Sequence, residues 1–248
     1  MIPKIIHYCW FGNNKIPDEI NKYINSWKEK LPNYEFILWN EENFDVNMIK
    51  FTQEAYSQKK YAFVSDYARL FALNKYGGIY LDTDVEVIKD INKFLDNSVV
   101  LGFDDGNRII SSFIAAEKGH PFVKEMLEFY IKLDFINSDG SLNEVPNTLW
   151  MEKVLKSKYG LKMNNDFQKL ENGIIVYPDD YFHAKSLITG KINLTKNTYL
   201  IHHHTLLWVS KKTKFIKFIR QKIVIPIIGK KLYCKLTDRV KGDSIVGE

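Results

Sequence analysis

The sequence predicts an α/β fold: a single domain with a mixed, mainly parallel central sheet flanked by helices, followed by a basic C-terminal helical tail. Two observations predict the sheet. Strand-like and helix-like segments alternate over about the first 85 residues, the signature of parallel strands joined by crossover helices. Later apolar runs crowd together with turn signals between them, which suits antiparallel pairs added to the same sheet. A third observation sets off the tail. From Lys211 to Lys241 there are eleven Lys or Arg and one acid, Asp238. Division is therefore expected at residues 1–210 and 211–248.

Ile2 to Trp10 reads as the first strand. Pro17 to Leu31 reads as a helix, with Pro17 near its start and acids in the first turn. Tyr34 to Trp39 is a second strand, and Met48 to Lys60 is helical. Ala62 to Tyr76 forms a helix in which Phe63, Tyr67, Leu70, Phe71 and Asn74 lie on adjoining turns, and Gly77 stops it. Ile79-Tyr80-Leu81 reads as a buried strand that runs on through Asp82 and Asp84. Val85 to Ile88 is a short strand. Val99 to Phe103 and Ile109 to Ala116 are strands around the turn Asp104-Asp105-Gly106-Asn107. Helices follow at Pro121 to Leu133 and Thr148 to Lys158, and late strands at Gly173 to Tyr177 and Thr198 to His202.

The 248 residues suit one large domain or a domain with an appendage, and 45% apolar content supplies a core. The net charge of +5 is uneven: the tail to Lys241 carries +10 and residues 242–248 carry −2, leaving residues 1–210 at −3. The basic residues are confined to the tail, so nucleic acid is not an expected partner. Cys9 and Cys234 lack metal-ligand spacing. They read as two thiols in a reducing compartment, with a single disulfide as the alternative. The amino terminus lacks a signal-peptide pattern, and no apolar run approaches the ~20 residues that span a bilayer. A cytoplasmic protein, peripheral on the inner face of the cell membrane, is expected.

Asp82-Thr83-Asp84 is the most informative motif. On a strand, residues two apart project together, so both carboxylates would face one way. Like charges that close invite a divalent cation, and oxygen ligands suit Mg²⁺ or Mn²⁺, which also grip phosphates. A solvated acidic turn is the plainer alternative. Trp10 ends the first strand; it is either a base-stacking ring or a core tryptophan. Asp66 and Arg69, three apart on a helix, form an ordinary ion pair or present an acceptor and a donor fork to sugar and phosphate. In His202-His203-His204, the outer two would point together along a strand and could complete a metal shell; a polar strand edge is the alternative.

Together these segments resemble glycosyltransferase family 32, the group with a DXD sugar-binding region. That group includes bacterial capsule and lipopolysaccharide sugar transferases and fungal initiating mannosyltransferases. It is distantly similar to the catalytic domains of clostridial glucosylating toxins. The resemblance is carried by Ile2-Pro3-Lys4-Ile5-Ile6-His7 with Trp10-Phe11-Gly12, by Ala62 to Arg69, Tyr76 to Asp84 and Lys118-Gly119-His120-Pro121, and by Ile201-His202-His203 with Trp208. It implies a GT-A fold, a nucleotide-sugar donor (UDP-linked), Mn²⁺ or Mg²⁺, and retention of anomeric configuration. By that likeness Trp10 stacks the base, Asp66 and Arg69 hold ribose and sugar, and Tyr80 and Asp82 contact the ribose or sugar side. Asp84 is the most direct metal ligand, His202 lies near the metal or diphosphate, and Trp208 caps the diphosphate. The implied acceptor is a glycan, lipid-linked, in capsule, exopolysaccharide or lipopolysaccharide synthesis. Three positions depart from the family pattern: Leu207 replaces Ser before the last Trp, Ser111-Ser112 stands where Asn is usual, and Pro146-Asn147-Thr148-Leu149 lacks Thr-Gly-Pro.

Two other classes compete. HAD-type phosphatases carry an apolar strand followed by D-x-D-x-Val/Thr, which Leu81-Asp82-Thr83-Asp84-Val85 matches, and Asp179-Asp180 could mimic their later acidic pair. A non-catalytic carbohydrate- or membrane-binding module is the third. In the tail, Phe215, Phe218, Ile219 and Ile223 share a helical face opposite Lys214, Lys217 and Arg220, and Pro226 breaks the pattern. Such a helix could lie on an anionic leaflet, or pack on the body with its basic face in water.

Overall fold

The computed structural model describes residues 1–205, 211–229 and 232–233. Its first strand, β1 (Ile5–Cys9), leads into α1 (Asp18–Lys30), β2 (Glu35–Trp39), α2 (Lys50–Ser57) and α3 (Tyr61–Tyr76). Then come β3 (Gly78–Leu81), β4 (Val85–Val87), β5 (Val99–Gly102), β6 (Phe113–Ala116), α4 (Pro121–Ile131) and α5 (Asn147–Lys158). The chain continues through β7 (Gln168–Lys169), β8 (Ile174–Tyr177), α6 (Asp179–Phe182), β9 (Leu200–His202), α7 (Lys211–Ile219) and α8 (Ile225–Ile228).

The seven-stranded sheet has the order β2-β1-β3-β6-β5-β8-β7. Five strands run one way; β6 and β7 run against them. The mixed, mainly parallel sheet expected from strand spacing is therefore present. Side chains alternate between its two faces, as a pleated strand requires. Tyr80, Val99, Leu101 and Ile114 join the core beneath α2 to α5. Ile79, Leu81, Val100 and Phe113 join the core beneath α1 and the small β4-β9 sheet. On α1, the Trp27 indole N–H donates to the Val85 carbonyl at 2.6 Å, fixing the start of β4.

Several boundaries differ from the sequence reading. The expected strand does not run through the acidic pair: it ends at Leu81, and Asp82 to Val85 is a turn in which the Val85 N–H donates to the Asp82 carbonyl. The α3 helix is buried on more than one side, Asp66 and Arg69 included, so one apolar stripe underdescribes it. The strand β7 is a polar two-residue edge that leaves no apolar signal. The tail helix does not stop at Pro226. It passes through a π-helical segment, Arg220–Val224, into α8. A wider turn just before a proline makes room for its ring and its missing N–H. Cys9 is a buried free thiol, and Cys234 lies outside the described residues.

The passage from α3 to β3 has almost no loop. Gly77 and Gly78 take φ of 68° and 109°. A Cβ on Gly78 would stand 2.6 Å from the Ile5 carbonyl oxygen, so only glycine fits against β1. The buried His7 ring clamps this turn. Its Nε2–H donates to the Gly77 carbonyl at 2.8 Å, while its Nδ1 accepts from the Trp39 indole at 3.2 Å. That pairing requires the neutral Nε2–H tautomer.

Burial lowers the His7 pKa from 6.5 to about 4, with the Gly77 bond opposing. A base depressed in the folded state contributes stability above its unfolded pKa and loses it as pH falls through the folded value. The window is therefore pH 6.5 down to 4, and the loss is about 3 kcal/mol. Urea unfolding from pH 7 to pH 4 should show this decline. His7→Gln should be less stable at pH 7 but should lose less across the same window.

Candidate active site

Asp82, Asp84 and His202 offer ligand atoms within 4.8 Å of one another. Two pieces of backbone bring them there. The turn after β3 folds Asp84 back beside Asp82, and the antiparallel pairing of Val85 with His202 sets the histidine against the turn. Convergence thus comes from a turn and a strand pair, not from alternation along one strand.

Asp84 is held on both oxygens. Oδ1 lies 3.1 Å from His202 Nε2. Oδ2 accepts from the Thr205 N–H at 2.7 Å and its hydroxyl at 3.0 Å. Burial works against ionisation of Asp84, but His202 and Thr205 outweigh it and hold the carboxyl well below its usual range. Burial likewise works against charge on His202, and Asp84 outweighs it, leaving that pKa raised.

The three histidines divide. His204 adopts φ 53°, and its ring centroid lies 3.9 Å from that of His202. The expected pairing of the outer two holds, but through a left-handed backbone instead of a continued strand. His204 groups with His183 and His202 within 4.8 Å, apart from the aspartates. Burial, with His202 and His183 beside it, pushes its pKa far down, so its imidazole is neutral. His203 turns away to Glu86 Oε2 at 2.7 Å and stacks on Tyr23 at 4.3 Å between centroids.

Arg69 organises the other side. Its Nη2 lies 3.0 Å from Asp66 Oδ1 and 3.5 Å from Asp82 Oδ1. Nη1 donates to the Ser111 carbonyl at 2.8 Å and Nε to the Ser65 carbonyl at 3.2 Å. The guanidinium sits 4.4 Å from the Tyr80 ring centroid, and the Tyr80 hydroxyl donates to Asp82 Oδ1 at 2.8 Å. The ordinary Asp66–Arg69 ion pair is therefore present, extended to Asp82. Burial opposes the Arg69 charge, but Tyr80, Asp82 and Asp66 more than offset it. Burial raises Asp66 to about 7, with Arg69 opposing and Asp82 adding to the rise.

Trp10 stands just beyond β1, half-buried, with its indole N–H donating to the Asn14 carbonyl at 2.7 Å. It packs at the edge of the core beneath α1. Leu207 and Trp208 lie outside the described residues. Thr205, Glu86 and the Ser111 carbonyl were not singled out from the sequence. Their roles depend on backbone groups or on a long-range pairing, which residue type does not signal.

Two carboxylates and an imidazole suit Mn²⁺ or Mg²⁺. Asp84→Asn keeps an acceptor for Thr205 but removes the charge. It should weaken Mn²⁺ binding at least about tenfold, read as free Mn²⁺ by electron paramagnetic resonance. His204→Asn, a residue that tolerates the left-handed backbone, should change it less than about threefold.

Residues 17–101 match a family model described as "Glycosyltransferase sugar-binding region containing DXD motif". The chain is 32% identical over 133 residues to inositol phosphoceramide mannosyltransferase 3 of Schizosaccharomyces pombe, covering 51% of this chain and 36% of that protein. It is 25% identical over 248 residues to an uncharacterized glycosyltransferase of Acanthamoeba polyphaga mimivirus, covering 92% of each. The chain spans well under half the length of the fungal inositol phosphoceramide mannosyltransferases 3 and 1, 36% and 42%. Among solved structures, the PaToxG glycosyltransferase aligns with a TM-score of 0.49 at 16% identity, over 63% of this chain and 70% of that one. The galactosyltransferase LgtC aligns with a TM-score of 0.43 at 12% identity, over 86% and 92%.

Proposed function

We propose that the chain, whose residues 17–101 match the model of glycosyltransferase sugar-binding regions containing a DXD motif, is a member of that family and moves a sugar from a nucleotide donor to a glycan acceptor with retention. The observation that carries this reading is the convergence of Asp82, Asp84 and His202 beside the buried Arg69. Asp82, Asp84 and His202 would hold Mn²⁺ or Mg²⁺. When bound, that ion supplies a Lewis acid for the negative charge that grows on the leaving diphosphate.

The chain's own residues prepare the ground. Thr205 and His202 fix Asp84 as a carboxylate. Arg69 and Tyr80 fix Asp82 from the opposite side. Asp66 and Tyr80 then face ribose and donor sugar and Trp10 stacks the base; the diphosphate cap expected of Trp208 falls outside the described residues. Among the described residues no side chain stands out as a covalent nucleophile. Attack therefore comes from the leaving group's own face, with a diphosphate oxygen taking the acceptor's proton. The bacterial polysaccharide setting and a lipid-linked acceptor complete the proposal.

The phosphatase alternative loses its second acidic pair. Asp179 Oδ1 accepts from the Asn165 amide, and Asp180 Oδ2 accepts from Thr195 and Asn197. Among the described residues neither joins the cluster at Asp82 and Asp84. A donor screen tests the assignment: UDP-galactose, UDP-glucose, their N-acetyl forms, and GDP-mannose, the last because three relatives are named mannosyltransferases. Metal-dependent release of nucleoside diphosphate from one of them is expected, lost in Asp84→Asn. Phosphate release from p-nitrophenyl phosphate with no nucleotide release would reverse the reading.

A second reading concerns the tail. No helix among the described residues is long and apolar enough to cross a membrane. Contrary to the solvated basic face expected of a packed helix, Lys217 and Arg220 turn inward, donating to the carbonyls of His204 and Leu187. Phe215, Phe218 and Ile223 are left 62%, 55% and 50% exposed. An outward apolar face supports seating on a leaflet. Full-length chain should float with anionic liposomes, and a chain ending at Ser210 should not.

A further inference from the structure

A cavity of about 470 Å³ is walled in part by Thr205, the residue that holds Asp84 Oδ2. None of Trp10, Asp66, Arg69 and Tyr80 lines it. Glu19 and Tyr23 of α1 form one wall, Lys185 and Lys191 a second, and Lys217 and Lys222 of the tail helix a third. Lys185 Nζ donates to the His203 carbonyl at 2.9 Å and Lys217 Nζ to the His204 carbonyl at 3.0 Å. Those carbonyls are adjacent in the chain, so two ammonium groups are held at one short stretch of backbone.

No described acid lies within ion-pair distance of them. Among the described residues none of the four lysines forms an ion pair with a carboxylate. Burial, then Lys185 and Arg220, hold Lys217 below the usual lysine range, with Asp84 opposing. Cations crowded together without a counter-charge are costly, and a bound anion removes that cost. Each ammonium has three N–H donors and gives one to a carbonyl, so two remain for a ligand. The wall facing them suits a hydroxylated ring: Glu19 accepts, and the Tyr23 ring is braced on one face by His203.

We propose, resting on the transferase reading above for what is transferred, that this cavity receives a phosphate ester of the acceptor. The two lysines grip its phosphate, and the Glu19–Tyr23 wall takes the sugar or polyol that carries it. The donor's diphosphate belongs at the aspartates, so the two anions occupy separate places.

Calorimetric titration of the full chain with α-D-glucose 1-phosphate, with and without saturating UDP and Mn²⁺, tests the assignment. Binding is expected in both conditions. Lys185→Gln and Lys217→Gln should each weaken it about tenfold or more, with UDP affinity changed less than about twofold. Displacement of the probe by UDP would give the cavity to the donor's diphosphate and overturn the proposal; so would equal binding by both variants. Should those variants fail to fold, Lys191→Gln/Lys222→Gln, which leaves the backbone clasp intact, should weaken the probe about threefold or more, and unchanged binding there overturns it. Lysine-dependent probe binding without any UDP binding would leave the anion site standing and remove the donor reading alone.

Discussion

A buried guanidinium shared between two carboxylates governs the geometry of this protein. Arg69 is almost wholly enclosed, and Asp66 and Asp82 both lie within its reach. Burying a cation with its carboxylate partners is expensive, and such clusters contribute little net stability. Their value is positional. The two carbonyls that fix the Arg69 fork belong to Ser65 on α3 and to Ser111 just before β6. A rotation of α3 over the sheet would strand a cation in the core, so the helix has one seat. Tyr80 repeats the constraint from below, under the guanidinium and bonded to Asp82.

The clamp at His7 extends that logic to the backbone. With no loop between α3 and β3, any shift of the helix must pass through Gly77 and Gly78, where β1 and His7 leave no space. The sequence order helix, glycine pair, strand, acidic turn is thereby converted into fixed spacing between Arg69 and Asp82. On the other side, α1 ties the start of β4 through Trp27. The acidic turn is suspended between two anchored strands, and its carboxylates approach each other because the frame allows no alternative.

Much of this was legible in the residues. The alternation of elements, the stop at Gly77 and the pairing of acids with histidines all followed from pattern and chemistry. What was not legible has a common cause. Periodicity says which residues share a face but not which face finds a partner, so the tail's inward basic side depended on two carbonyls far away in sequence, at Leu187 and His204. The same holds for Asp82 and Asp84, whose meeting depends on a turn, and for His204, whose place depends on its own left-handed backbone just past β9. Thr205 matters chiefly through its N–H, which every residue but proline possesses.

The small β4-β9 sheet joins stretches about 115 residues apart, and Asp82, Asp84 and His202 converge only where they meet. On the ribosome, the acidic turn emerges early and must wait for more than a hundred further residues before its histidine arrives. A nascent chain therefore carries the aspartates without their histidine neighbour. The cluster is completed in one late step, when β9 docks on β4, and a chain cut short before it lacks the histidine.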